Sequence, residues 1–385
     1  MAKTPLCIVT HTFLPHVGGI EKVVNEQSKR LLKRNFSPLI VTNRIDTPKR
    51  YIVDGVPVEC YESLNTGFRL GIPYSIPTVP SFPTFLKAVK SSKIVHAHGH
   101  PYLTSLTAAK LAKLCNKPFV LTQHNTFIDY NSVFNHVERL NDLTIGKQNL
   151  DEADKIIVIS NATKDYVLRL GAKPSKVKVI YNGVDLARFR PIAGKREEMR
   201  KKLGIPQGAI VVLTVRRLVY KNGVDTLIDT ANIAVKKNPR IVFLVVGKGP
   251  DMESVKLQAA QLGIETNFRL AGFVSDQDLP LYYNVADLFV LPSKSGEGLP
   301  LVALEAMASG LPVIATDVGG IREILMEDYG KLVAPNQSEL LAKAVLDFAT
   351  VDFSSRRGEL RAMVEKRFSW DANVERLVEI YEELI

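Results

Sequence analysis

DLFVLPSKSGEGLPLVALEAMASGLPVIAT, residues 287–316, reads as strand, loop, helix and strand in one short stretch. The apolar runs DLFVLPS (287–293) and PVIAT (312–316) are the strands. Between them Pro300 stands near a first helical turn, and Val302, Leu304, Ala306, Met307 and Ala308 build an apolar helix from about 299 to 309 that Gly310 ends. Strand, helix and strand in that order pair in parallel through a right-handed crossover. Two carboxylates interrupt the stretch, Glu297 in the loop and Glu305 in the helix. Were both helical they would lie about 12 Å apart along the axis. That exceeds the roughly 5 to 9.5 Å between the acid and base of a glycoside hydrolase. The spacing therefore speaks against an acid and base pair of that kind.

The same rhythm extends in both directions. Upstream lie LCIVTH (6–11), PLIVTN (38–43), KIVHAH (93–98), FVLTQH (119–124) and KIIVIS (155–160), then AIVVLTV (209–215) and RIVFLVVG (240–247), with helical spacing between most of them. Alternation of this kind predicts an α/β fold with parallel sheets covered on both faces. YIVDGVPVECY (51–61) is the exception, since Asp54-Gly55 between alternating runs marks a hairpin. YNGVDLARFRPIAGKREE (181–198) breaks the rhythm with Gly, Pro and charge. The expected architecture is thus two Rossmann-like doubly wound domains facing a cleft, 1–182 and 183–368, with ligands beyond the carboxyl ends of the strands. GFRLGIPYSIPTVPSFP (67–83) is a long irregular loop whose aromatic content argues for a functional segment.

Composition narrows the chemistry. With 46% hydrophobic and 23% charged residues in 385, the chain is of ordinary soluble composition. It carries neither a signal peptide pattern nor a membrane-spanning run, so the expected location is cytoplasmic, peripheral on the cytoplasmic face of a membrane. Cys7, Cys60 and Cys115 are too scattered for a metal or redox motif. Residues 1–180 hold 24 Lys/Arg against 13 Asp/Glu, whereas residues 181–385 hold 26 against 27. A basic first half suits an anionic partner, either a membrane surface or a phosphorylated acceptor, and nothing points to nucleic acid. Lys22, Lys29, Arg30, Lys33 and Arg34 fall on one arc of the helix after the first strand, a candidate face for anionic head groups.

The strand ends supply the candidate site. Gly18-Gly19 precedes a helix and allows an anion close to its amides. His98 and His124 end adjacent strand patterns, where an imidazole can hydrogen-bond to substrate. HAHGH (96–100) lacks the further ligands of a metal site. Gly247-Lys248-Gly249 follows a strand but is an incomplete dinucleotide fingerprint, because position 252 is Met; nicotinamide chemistry is excluded and another nucleotide fits. In SDQD (275–278) Ser275 reads as a helix cap with Asp278, in preference to a metal-binding acidic pair. Phosphate charge then falls to Arg216, Arg217 and Lys221, which follow a buried strand. Gly298, Leu299 and Pro300 open the helix of about 299–309, whose N-terminus follows the strand DLFVLPS and is placed for a phosphate.

At FLPHVGGIEKVV, KIVHAHG, RLVYKNGVDTLI, VVGKGP and above all EGLPLVALEAMASGLPVIATDVGGIREI, the chain resembles the retaining glycosyltransferases of family four, which have the two-domain GT-B fold. The last of these carries the family's Glu-x7-Glu motif, and FSWDANVERLVEIYEELI resembles the helix that returns to the first domain, here 369–385. The resemblance implies transfer of a sugar from a nucleotide-diphosphate sugar to an acceptor hydroxyl, with no metal and no other cofactor. Glu305 would bind the ribose, Glu297 the sugar hydroxyls, and the amides near Leu301 and Val302 the diphosphate. Arg217 matches the family's phosphate-binding arginine. The family's lysine is Asn222 here, with Lys221 one place earlier, so the two stand as alternatives for the second phosphate contact. His124 matches a donor-sugar contact, Gly18-Gly19 a turn facing phosphates and acceptor, and Phe273 a loop meeting the base. Expected partners are the donor and a lipid-linked or otherwise membrane-presented glycan or glycolipid acceptor. A nucleotide-sugar epimerase of similar architecture and a catalytically silent sugar-nucleotide binder are the competing expectations.

Overall fold

The structure is a computed structural model that describes residues 3–65, 74–129, 132–192, 194–325 and 327–385. The chain divides into two compact units, one of Met1–Asn125, Asn131–Asn182 and Trp370–Ile385, the other of Thr126–Tyr130 and Gly183–Ser369.

In the first unit the sheet contains β1 (Thr4–Thr10), β2 (Phe36–Asn43), β3 (Arg50–Val53), β4 (Val56–Tyr61), β7 (Ile94–His98), β8 (Phe119–Gln123), β9 (Lys155–Val158) and β10 (Val177–Val179). A separate two-stranded ribbon pairs β5 (Ser63–Leu64) with β6 (Ile76–Pro77). The main order is β10-β9-β8-β7-β1-β2-β4-β3. All neighbours pair in parallel except β3 and β4, whose hairpin turns at Asp54 and Gly55 with φ of 49° and 82°. Alternation along β1 sends Cys7 and Val9 into one core and Leu6 and Ile8 into the other. The second of these cores is completed by Val374, Leu377, Ile380 and Tyr381 of the helix Trp370–Glu382. Burial pushes the Cys7 thiol up to about 12, so it is an inert core group.

The second unit is a parallel sheet of β11 (Ile210–Val215), β12 (Ile241–Val246), β13 (Phe268–Gly272), β14 (Leu288–Leu291), β15 (Val313–Thr316) and β16 (Gly330–Val333). Its order is β13-β12-β11-β14-β15-β16. The strand sequence therefore reverses between β11 and β14, just as it does between β1 and β7 in the first unit. Each sheet thus opens a crevice at the carboxyl ends of those two strands.

In the two main sheets three strands are not marked in the sequence patterns, β10, β13 and β16, and each lies at a sheet edge. Edge strands are half exposed, so VKV, FRLAG and GKLV lack a continuous apolar run. Of the loop at 67–83, residues 67–73 lie outside the described residues; the remainder is ordered as β6, a 3-10 turn Val79–Ser81 and the start of the helix Phe82–Ser91. Residues 126–130 join the second unit, a departure from a boundary at 182. Among the described residues no helix is long and apolar enough to cross a membrane.

Candidate active site

The crevice of the second unit is built on the turns after β11 and β14, which pair side by side. After β14 the backbone runs through Ser293 to Gly296, at φ 74°, and on to the helix Leu301–Ala308. This turn is clamped from beyond β15: Gly320 N donates to Gly298 O at 2.9 Å, and Thr316 Oγ1 donates to Ser293 O. A Cβ on Gly319, whose φ is 61°, would lie 1.8 Å from Glu297 O. The glycine thus sits directly beneath the loop that presents Glu297.

Glu297 accepts from Ser293 Oγ at 2.6 Å and from Arg216 Nη2 at 3.3 Å. Arg216 also donates to Ser293 Oγ at 3.0 Å. Arg216 is buried, and Glu297 is only one-fifth exposed. Lys221 is half-buried beside them; desolvation pulls its pKa down, Glu297 pushes it up, and Arg216 and Arg217 pull it down again. Arg217, the arginine singled out by the motif, is exposed. Asn222 donates its amide to Arg217 O at 2.6 Å and so ties the turn together, while Lys221 lies close enough to Glu297 for the carboxylate to raise its pKa. The sequence offers Arg216 among the available cations but does not mark it as a site residue. Adjacent residues of an extended chain point to opposite faces, so the pair Arg216-Arg217 puts one guanidinium inward and one outward, and nothing in the letters says which.

Glu305 lies inside the helix Leu301–Ala308, 4% exposed, and accepts from Tyr283 Oη at 2.8 Å. Burial first, and the Glu305 carboxylate second, push the Tyr283 phenol well up, which keeps it a neutral donor. At the start of that helix, amides of Ala303 and Leu304 turn back to Pro300 O at 3.1 and 3.4 Å. Those of Leu301 and Val302 have no backbone acceptor among the described residues. Gly298, Leu299 and Pro300 are buried in the approach to this N-terminus.

Gly247 and Gly249 have a packing role beside the expected ligand approach. A Cβ on either would lie 1.9 Å from Arg216 O or 2.0 Å from Leu218 O. These glycines let β12 and its turn pack against the turn after β11. Lys248 is exposed, and Phe273 is 63% exposed in the loop after β13. In SDQD, Asp278 N donates to Ser275 Oγ at 3.1 Å, which closes a turn just ahead of the helix Leu279–Val285; the cap residue of that helix is Asp278 and not Ser275, and Asp276 pairs with Arg188 at 2.8 Å.

In the first unit, His98 Nδ1 lies 2.8 Å from His124 Nε2 at the ends of the paired strands β7 and β8. His96 continues the cluster, bonding to Tyr381 Oη at 2.6 Å and Thr122 Oγ1 at 2.7 Å. Burial pushes His96 and His124 down to about 3 and His98 well below its ordinary value, so all three imidazoles are neutral at pH 7. Gly18 caps the helix Gly19–Leu31, and its missing Cβ makes room for the Glu21 carboxylate, which a Cβ would meet at 2.4 Å. That buried carboxyl bonds to Thr12 and to its own amide, while burial pushes its pKa up, so the protein itself already fills the space beside this N-terminus. Around Gly19 nothing lies within 4 Å of an added Cβ.

The basic helix face is less free than its spacing implies. Lys29 and Arg30 pair with Glu26, Arg30 also reaches Asp371 at 3.3 Å, and Arg34 pairs with Glu375 at 2.9 Å. Asp371 and Glu375 belong to the helix Trp370–Glu382, so its acidic face covers much of this patch. Lys33 is exposed beyond the helix end, and Lys22 is half-buried.

Known proteins share both sequence and fold with this chain. The family model described as Glycosyltransferase Family 4 matches residues 17–188, and that described as Glycosyl transferases group 1 matches 195–379. An uncharacterised glycosyltransferase of Methanocaldococcus jannaschii is 27% identical, over 98% of this chain and 97% of its own length. A component of the phosphatidylinositol N-acetylglucosaminyltransferase of Arabidopsis thaliana is 26% identical over 99% of this chain and 83% of its own length. The Anabaena protein HepE, solved in complex with UDP, superimposes with a TM-score of 0.81 at 21% identity, covering 99% of this chain and all of that one.

Proposed function

Because the chain belongs to the glycosyltransferases, with a family 4 region followed by a group 1 region on a GT-B type fold, we propose that it moves a sugar from a nucleotide-diphosphate sugar to an acceptor hydroxyl with retention of anomeric configuration. The observation that carries this reading is the placement of Glu297 and Glu305 at the two ends of one turn-and-helix unit beside the β11/β14 crevice, with the Leu301 and Val302 amides between them. Glu297 would hold the sugar hydroxyls, Glu305 the ribose, and the helix N-terminus the diphosphate. Departure of the diphosphate builds negative charge, which Lys221 and Arg217 would stabilise without a metal. His124, held neutral by burial, would hydrogen-bond the donor sugar, and the leaving phosphate would take the acceptor's proton.

The acceptor we propose is lipid-linked or membrane-presented. Support comes from the basic first unit and from the phosphatidylinositol in the name of the Arabidopsis relative. The deciding experiment screens UDP-, GDP- and ADP-sugars for thermal stabilisation and donor hydrolysis, then follows the product anomer by NMR. One donor is expected to raise the melting temperature, by mass action, and to give product of unchanged anomeric configuration. An inverted product would remove the retaining mechanism, and no response to any nucleotide sugar would remove the reading altogether.

A further inference from the structure

The turn that carries Glu297 is gripped a second time, by residues distant from it in the chain. Residues 126–129 lie in the second unit, although the chain on either side of their segment belongs to the first. Three consecutive residues of the turn meet this segment in antiparallel order. Ser295 Oγ accepts from Asp129 N at 2.9 Å and donates to Asp129 O at 3.3 Å. A Cβ on Gly296, whose φ is 74°, would lie 2.7 Å from Ile128 Cγ1 and 3.4 Å from Ile128 Cα, so Ile128 fills the place that a side chain at 296 would take. Thr126 Oγ1 then donates to Glu297 O at 3.2 Å.

Regular structure does not fix this turn. The strand β14 stops at Leu291 and the next helix begins at Leu301, so residues 292–300 are neither strand nor helix. Such a connection keeps one conformation where its polar groups are bonded to something fixed. Residues beyond β15 hold the ends of the turn, through Thr316 to Ser293 O and Gly320 to Gly298 O. Residues 126–129 hold its middle, 295 to 297. The Glu297 carbonyl oxygen is caught between the Thr126 hydroxyl and Gly319, and the carboxylate reaches Ser293 and Arg216 from the backbone position thus set.

On the donor-binding reading above, in which Glu297 holds the sugar hydroxyls, we infer that residues 126–129 are a strap that fixes where the Glu297 carboxylate stands, with Thr126 and Ser295 as its positioning residues. Both act through the backbone of the turn. Their loss therefore displaces the clamp on the sugar and leaves the diphosphate site at the helix Leu301–Ala308 as it was. His124, the other residue assigned to the sugar, precedes Thr126 by two positions, so the stretch 124–126 serves the sugar twice, once by direct hydrogen bond and once through Glu297.

Calorimetric titration separates the two sites, using whichever of the UDP-, GDP- and ADP-sugars wild type binds and, beside it, the bare nucleoside diphosphate. Thr126→Val keeps the shape and removes the hydroxyl; it is expected to weaken the nucleotide sugar about fivefold, the worth of one hydrogen bond, and the diphosphate by less than about twofold. Thr126→Ser keeps the hydroxyl and should bind both ligands to within about twofold of wild type. Adding Ser295→Ala to Thr126→Val should deepen the loss on the nucleotide sugar to about 20-fold, with the diphosphate still within about threefold. A segment that only supported the fold would weaken both ligands alike. Equal losses, a double variant with unchanged affinity for the nucleotide sugar, or a Ser variant no better than Val each overturn the inference. Should the double variant fail to fold, as judged by near-UV circular dichroism, the single variants decide: Thr126→Val that binds the nucleotide sugar as wild type does overturns the proposal. A wild type that binds neither ligand defeats the donor reading itself, a different outcome from a wild type that binds both and variants that do not discriminate.

Discussion

Glu297 and Glu305 share a side chain and differ in surroundings. Glu297 is partly open and answered by cations, whereas Glu305 is buried and answered by a phenol. That Glu305 needs a partner is legible in the sequence, because a carboxylate in an apolar helix must be hydrogen-bonded. That the partner is Tyr283 is not, since it lies 22 residues away on the helix Leu279–Val285. Tyr283→Phe should cost about 1 to 3 kcal/mol by removing a hydrogen bond to a buried carboxylate. Thermal melting checks this, and an unchanged midpoint would show that the bond contributes nothing. The histidines carry a pH dependence. His96 and His124 keep their protons off down to about pH 3, whereas unfolded histidine takes one up near 6.5. Between those values the unfolded chain binds more protons, so stability is full above about pH 6.5 and falls as pH drops toward 3. By pH 5 the loss is on the order of 2 kcal/mol per histidine. Urea midpoints at pH 7 and 5 measure it, and His96→Asn should flatten the slope. A slope that the variant leaves untouched would assign the effect to other groups.

Elements are most legible where both faces of a strand are buried and least where one face is wet. The central strands β1, β7, β11, β12 and β14 announce themselves as apolar runs, while β10, β13 and β16 at the edges do not. Turns carry a second kind of hidden information. Gly247 and Gly249 look in sequence like ligand-binding glycines, yet the backbone of residues 216–218 fills the space a side chain would need. Gly319 lies in the stretch that carries the family resemblance but is not singled out there as a site residue, yet the Glu297 turn rests on it. Gly319→Ala must strain a left-handed backbone position and push against Glu297 O, so the turn shifts. The expected result is a loss of about 1 to 3 kcal/mol in stability together with at least tenfold weaker donor turnover. Gly19→Ala is the contrasting case, because the added methyl meets nothing, and its melting temperature should stay within a degree or two of wild type. A large drop in that variant would mean that Gly19 is needed for the fold itself.

At the scale of the molecule, the units redistribute the charge that sequence halves suggest. The first unit, with the residues 370–385 it takes in, holds 25 Lys/Arg against 17 Asp/Glu, or +8, and the second holds 25 against 23, or +2. The asymmetry survives but shrinks, because the segment Trp370–Ile385 brings acids against Arg30, Arg34 and Lys155. Binding to anionic vesicles is therefore expected to be weak and salt-sensitive. Flotation with phosphatidylserine-containing liposomes should show association at 50 mM salt that is lost by about 300 mM. Absence of binding at low salt would count against a membrane-presented acceptor. The returning helix has a further consequence, in the order of synthesis. Val374, Leu377 and Tyr381 close a core that Leu6, Ile8 and Phe36 begin, and the ribosome makes the whole of residues 183–369 between them. The earlier-made unit waits, with an apolar flank uncovered, until the later one has been translated. Its exposure to chaperones and to aggregation is thus set by the elongation time of its neighbour, and slowing translation within 183–369 prolongs that exposure without altering a single native contact.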